Sequence, residues 1–150
     1  MTPHAIAHAD QLTAACRDAL TALHAIAEDG RGYLAERPAA VPWLAAQASV
    51  FVRALTVGTV ELCPHLGSSP QVVHAAAWAP GRLVCTGCVA ALRPGPDEDA
   101  TCDRCRCRPR RLYPGAAAFG PVLLAYGLCP SCLRVTGLAP ARGRTRAGRR

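Results

Sequence analysis

The sequence predicts an α+β chain, with a helical hairpin over residues 1–60, two small knuckle-and-β-hairpin units over 61–139, and a disordered basic tail over 140–150. Three observations predict it. Apolar side chains recur at helical spacing through the first third of the chain. Closely spaced cysteines then alternate with short strand-like runs from residue 63 to residue 132. Residues 140–150 carry five arginines and no acid.

The first helix is expected over residues 3–29. Thr2 suits the N-cap, Pro3 the first helical position, and Asp29-Gly30 supplies a stop. Ile6, Leu12, Cys16, Leu20, Leu23 and Ala27 recur as one stripe, which makes Cys16 a core cysteine. His4 and His8 stand four apart but have no third ligand nearby, so they read, with His24, as solvated imidazoles. Residues 30–42 form a connector interrupted by Gly30, Gly32, Pro38 and Pro42. In the second helix, expected over residues 42–56, Trp43, Leu44, Val50, Phe51, Ala54 and Leu55 spread beyond one narrow stripe. Such a helix expects burial on more than one side, against the rest of the chain or against a partner protein or second copy.

Residues 57–62 have strand chemistry and lead into Cys63-Pro64-His65. The pairs Cys85/Cys88, Cys102/Cys105 and Cys129/Cys132 follow, each with two residues between its cysteines. Two ligands at that spacing fit one tight turn, and eight ligand-type residues suffice for two tetrahedral zinc ions. Strands are expected over residues 71–78, 82–84, 110–113 and 121–126. A turn is expected at Pro80-Gly81, short helical stretches over 89–93 and 133–136, and loops at Pro114-Gly115 and over 94–99.

Composition points the same way. The chain has 30 alanines but only two Trp, three Tyr and two Phe, so large core side chains are scarce. A bound metal commonly makes up that deficit, because its binding free energy becomes folding free energy. Asp10, Asp18, Glu28 and Asp29 interrupt the N-terminal region, which therefore does not read as a secretory signal. The longest apolar run, over 116–128, is broken by Gly120, Pro121 and Gly127, too short to span a bilayer. A cytoplasmic, reducing location is expected, where paired cysteines read as metal ligands before disulfides. Lysine and asparagine are absent while Arg, Ala, Gly and Pro abound, a bias that suggests a GC-rich bacterial genome and tempers the net charge of +7.

The order knuckle, hairpin, knuckle, short helix over residues 61–137 resembles treble-clef and zinc-ribbon fingers. The resemblance implies backbone N–H groups aimed at the thiolates and a helix starting at the second cysteine pair of each unit, where Thr86 and Ser131 fit. Cys63-Pro64-His65 departs from it by having one intervening residue, and His74 is the reserve ligand. Sequential pairing gives Cys63, His65, Cys85 and Cys88 to one ion and Cys102, Cys105, Cys129 and Cys132 to the other. An interleaved cross-brace is the alternative, disfavoured by the 13 residues between Cys88 and Cys102. Cys107 is open to three roles: substitute ligand, spare thiol or reactive thiol.

With four ligands per ion both sites are expected to be closed and structural. No phosphate loop, nucleophile elbow or paired carboxylates suggest an enzyme or a small-molecule substrate. Arg104, Arg106, Arg108, Arg110 and Arg111 crowd the third knuckle, and Arg142, Arg144, Arg146, Arg149 and Arg150 fill the tail. Both groups suit phosphate contacts with nucleic acid, and Trp78 and Tyr113 are near enough in sequence to offer stacking surface. A protein-interaction module built on the second helix is the competing expectation.

Overall fold

The computed structural model describes residues 2–28, 33–35 and 37–138. Its elements are helices α1 (Pro3–Glu28), α2 (Pro42–Thr56), α3 (Pro96–Asp99) and α4 (Pro130–Thr136), with strands β1 (Tyr33–Ala35), β2 (Glu61–Leu62), β3 (Val73–Ala76), β4 (Ala79–Cys85), β5 (Tyr113–Phe119) and β6 (Val122–Leu128). The class is α+β, as expected. Residues 140–150, assigned to a basic tail, lie outside the described residues, as does residue 139.

One mixed sheet, in the order β1-β5-β6-β3-β4-β2, organises the chain. β5 and β6 form one antiparallel hairpin and β3 and β4 the other, and parallel pairing of β3 with β6 joins them. Gly120, at φ 57, makes the two-residue β5–β6 turn possible. β1 runs parallel to β5, and β2 parallel to β4. The sheet thus takes strands from both sides of residue 60.

Side chains alternate between the two faces of this sheet. Ala116 and Leu123 meet Ala19 and Leu23 of α1 on one face. Ala35, Ala75, Leu83, Ala117, Leu124 and Tyr126 join Leu44 and Phe51 of α2 on the other. The two helices therefore cover opposite faces, where the sequence suggested a hairpin of helices against each other. The difference arises in residues 30–42, expected to be a plain connector, because Tyr33–Ala35 adds a strand at the sheet edge between them.

Helix α1 is capped as expected, with the Ala5 N–H donating to Thr2 Oγ1 at 3.3 Å. Its buried line is Ala15, Ala19 and Leu23, while Ile6, Leu12 and Leu20 stay exposed. The strand beneath presents Ala116 and Ala118, and small residues on the helix let the two backbones approach closely. In α2, Phe51 is buried and half-buried Trp43 meets Tyr126 edge-on at 5.6 Å, so both are engaged in the chain's own core. Val52 and Leu55 of α2 remain exposed, as do Val57 and Leu62 after it.

Further expectations change. Pro80-Gly81, expected as a turn, lies inside β4 with the turn at residues 77–78, and residues 110–112, expected in a strand, come before β5 starts at Tyr113. Pro114 and Gly115, expected in a loop, lie inside β5, where the Tyr126 ring covers Gly115. Residues 96–99, expected in a loop, form the single turn of α3. Among the described residues no helix is long and apolar enough to cross a membrane.

Candidate metal centres

Two groups of four donors form at opposite ends of the sheet. In each, the four donor atoms lie within 4.8 Å of one another: Cys63, His65, Cys85 and Cys88 in the first, and Cys102, Cys105, Cys129 and Cys132 in the second. Each group draws on consecutive knuckles, the sequential arrangement rather than the interleaved one. Cys85 lies level with Val73, and Val73 with Val122, while Cys129 follows the far end of β6. About seven residues at roughly 3.3 Å per residue separate the two groups by roughly 20 Å. They are independent centres. All nine cysteines are free thiols.

The first centre hangs on the parallel pairing of β2 with β4. The Cys63 N–H donates to Leu83 O at 3.0 Å, which places the Cys63 thiolate under the Cys85 N–H, 3.2 Å away. β4 ends at Cys85, and a 3-10 turn, Thr86–Leu92, starts there and carries Cys88. His65 Nδ1 stands 3.1 Å from Cys88 Sγ despite its one-residue spacing from Cys63. His74, the reserve ligand, instead pairs through Nε2 with Thr86 Oγ1 at 3.2 Å, and burial lowers its pKa.

The second centre is set deeper. Cys102, Cys129 and Cys132 are buried and belong to the main core cluster, whereas Cys105 is exposed. β6 delivers Cys129 to the N-cap of α4, where its Sγ accepts from the Cys132 N–H at 3.4 Å, and Pro130 opens the helix. The Cys129 N–H in turn donates to Cys102 Sγ at 3.3 Å. These N–H donors at a strand end and a helix start are the features that favour thiolate charge.

Asp103 locks this centre to the sheet, a role its sequence position gave no sign of. Its backbone N–H donates to Gly127 O at 2.9 Å, and its Oδ2 accepts from the Gly127 N–H at 2.6 Å. The side chain is 3% exposed, and Oδ1 has no hydrogen-bond partner, the nearest cation being Arg106 at 3.9 Å. Burial raises the carboxyl pKa, against the opposing pull of the Gly127 N–H and Arg106.

Thiol acidities divide within each group. Burial pushes Cys63 up, but N–H and thiol donors around it bring it down to about 7, while its neighbour Cys88 is pushed to about 11, chiefly by Cys85. In the second group burial and the surrounding thiols push Cys132 to about 12, whereas Cys105 is lowered by the Cys107 thiol and N–H. Thiols crowded in this way repel one another as thiolates, and a cation among them relieves that repulsion. Sulfur with a minority of imidazole, four donors at tetrahedral count, is a donor set that can hold a soft or borderline metal ion.

The five arginines of the third knuckle are all exposed. They do not form an extended row, because residues 103–105 turn and Arg106 adopts a left-handed φ of 59. Arg104 donates to Cys132 Sγ at 3.6 Å, Arg106 faces Asp103, Arg108 pairs with Asp97, and Arg111 stacks over Tyr113 at 4.9 Å. Arg110 and Arg111 border a cavity of about 460 Å³ shared with Trp78, Glu98, Asp99 and Asp103. The Trp78 ring is half-buried, and its N–H donates to Leu92 O at 2.8 Å.

No protein-family model matches the chain, and no curated protein and no solved structure matches it either.

Proposed function

We propose that the protein is a non-enzymatic module held together by two structural zinc ions. The observation that carries this reading is the gathering of four donor atoms within 4.8 Å at each of two places, with a full complement in both. A catalytic zinc keeps a position for water or substrate, whereas four protein donors close the tetrahedron. Zinc X-ray absorption of the purified protein tests it. Averaged over two ions, the expected first shell is seven sulfurs to one nitrogen, at about 2.3 Å and about 2.0 Å respectively. An oxygen ligand at either ion would contradict closed sites.

The partner we propose is nucleic acid, met by Arg104, Arg106, Arg108, Arg110 and Arg111 and by the arginines of residues 140–150. Support comes from the exposure of all five knuckle arginines, with Trp78 beside Arg110 and Arg111. Exposed ion pairs are worth only about 0–1 kcal/mol, so a phosphate can displace Asp97 from Arg108. If the five knuckle arginines each meet one phosphate, log affinity for single strands falls against log salt with a slope of about −3.5. No binding at low salt would contradict the proposal. The apolar surface of Val52, Leu55, Val57 and Leu62 favours a second reading, a protein-assembly module. A complex with salt-independent affinity, lost on Leu55→Glu, would select that one.

A further inference from the structure

Cys107 is the one cysteine near a metal centre that neither group of four uses. Its Sγ lies 3.1 Å from Cys105 Sγ, and both residues are exposed. The turn that brings the two thiols together is fixed from both sides. The Cys102 N–H donates to Cys107 O and the Arg106 N–H to Cys102 O, each at 2.9 Å, while Arg106 reverses the chain at φ 59. An exposed cysteine contributes no core packing, so burial does not account for Cys107.

The rest of the second centre is sealed. Cys102, Cys129 and Cys132 are 0%, 5% and 3% exposed, so the solvent-facing thiols at this centre are those of Cys105 and Cys107. The first centre has no corresponding pair. Cys63, Cys85 and Cys88 are half-buried, and all three belong to its four-donor group.

We propose that Cys105 and Cys107 are a disulfide-forming modification site for a hydroperoxide oxidant, and that closing this disulfide removes Cys105 from the second centre and releases its zinc. The proposal rests on the zinc reading above. The Cys105 thiolate attacks one oxygen of hydrogen peroxide, the O–O bond breaks, and hydroxide leaves and takes a proton from the buffer acid to become water; Cys105 becomes a sulfenic acid. The Cys107 thiol then attacks that sulfur, the S–S bond forms, the S–O bond breaks, and the oxygen departs as water with the thiol proton. In sum two sulfurs give up two electrons, and the peroxide is reduced to water. The sulfurs need to close from 3.1 Å to about 2.05 Å, a shift within the turn itself. Cys102, Cys129 and Cys132 then remain as an incomplete donor set.

The test uses the full-length zinc-loaded protein and its Cys107→Ser variant, treated with hydrogen peroxide in the presence of a chromogenic zinc chelator. The wild-type chain is expected to release one of its two zinc ions in a fast phase, with an intact mass two hydrogens lighter and the bridge mapped to Cys105 and Cys107. Cys107→Ser, binding two ions beforehand, is expected to lose that fast phase. A thiol reductant with added zinc should restore the wild-type content. Equal release from the two proteins would overturn the proposal, as would a bridge between other cysteines or a Cys107→Ser protein that binds only one ion, which would make Cys107 a ligand. A wild-type chain that binds no zinc fails earlier, at the reading beneath, and is distinguishable on that ground.

Discussion

Truncating Asp103 tests how the third knuckle is held to the sheet. In Asp103→Ala the Gly127 N–H, inside a buried strand end, loses an acceptor that stands 2.6 Å away. Losing a hydrogen bond to a charged acceptor costs about 1.5–3 kcal/mol. Part of this is returned, because the same change removes a nearly buried carboxylate whose Oδ1 has no partner. The net is a loss of about 1–2 kcal/mol, or about 2–8 °C in Tm for a chain of this length. Asp103→Asn separates the hydrogen bond from the charge, since its amide oxygen still accepts from Gly127, and should recover most of that loss. The assay is thermal unfolding of the zinc-loaded protein near neutral pH, with the rate of chelator-driven zinc loss as a second readout. Asp103→Ala should lose one ion faster and leave the other unaffected, because the first centre lies roughly 20 Å away. Equal stability of Asp103→Ala and wild type, or equal loss in the Asn and Ala variants, would refute the argument.

Three further outcomes follow from the geometry. Gly115→Ala places a Cβ 2.8 Å from Tyr126 Oη and closer still to the ring, so the ring must leave its contact with Trp43; a loss of about 1–3 kcal/mol is expected in denaturant unfolding. His65→Ala and Cys129→Ser each remove one donor, from an exposed rim and from the buried core respectively; circular dichroism should show a folded His65→Ala chain with one weakened site and a largely unfolded Cys129→Ser chain. Half-buried His74 has a pKa below the ordinary imidazole value of about 6.5, so the unfolded chain binds the extra proton first. Its contribution is present above pH 6.5 and is lost as pH falls through that value towards the folded pKa. Stability measured from pH 7.5 to 5.5 should therefore decline less in His74→Gln than in wild type.

The metal centres were the most legible part of the sequence, because two donors spaced two residues apart define a turn locally, before any tertiary structure exists. His65 followed the same local logic with one residue fewer. The strands that lead into Cys85 and Cys129 were also legible from their β-branched and apolar runs. What joins the halves was not. The parallel pairing of β3 with β6 links residues about fifty positions apart, and β1 is three residues long inside a Gly- and Pro-rich stretch; neither leaves a periodic signal. Pro114-Gly115 has the dipeptide chemistry of a loop, whereas the Tyr126 ring needs the space over Gly115. The stripe on α1 was drawn through its larger side chains, while the alanine-rich strand beneath called for Ala15 and Ala19. Asp103 left no signal in the sequence, since its partner Gly127 lies 24 positions away.

Counting metal and thiols in the same purified sample tests the central claim most directly. Elemental analysis of protein prepared under reducing conditions without added metal should give two zinc ions per chain, and denaturation in chelator should then expose nine titratable thiols. A folded chain without zinc, or one whose cysteines are tied to one another as disulfides, would contradict it.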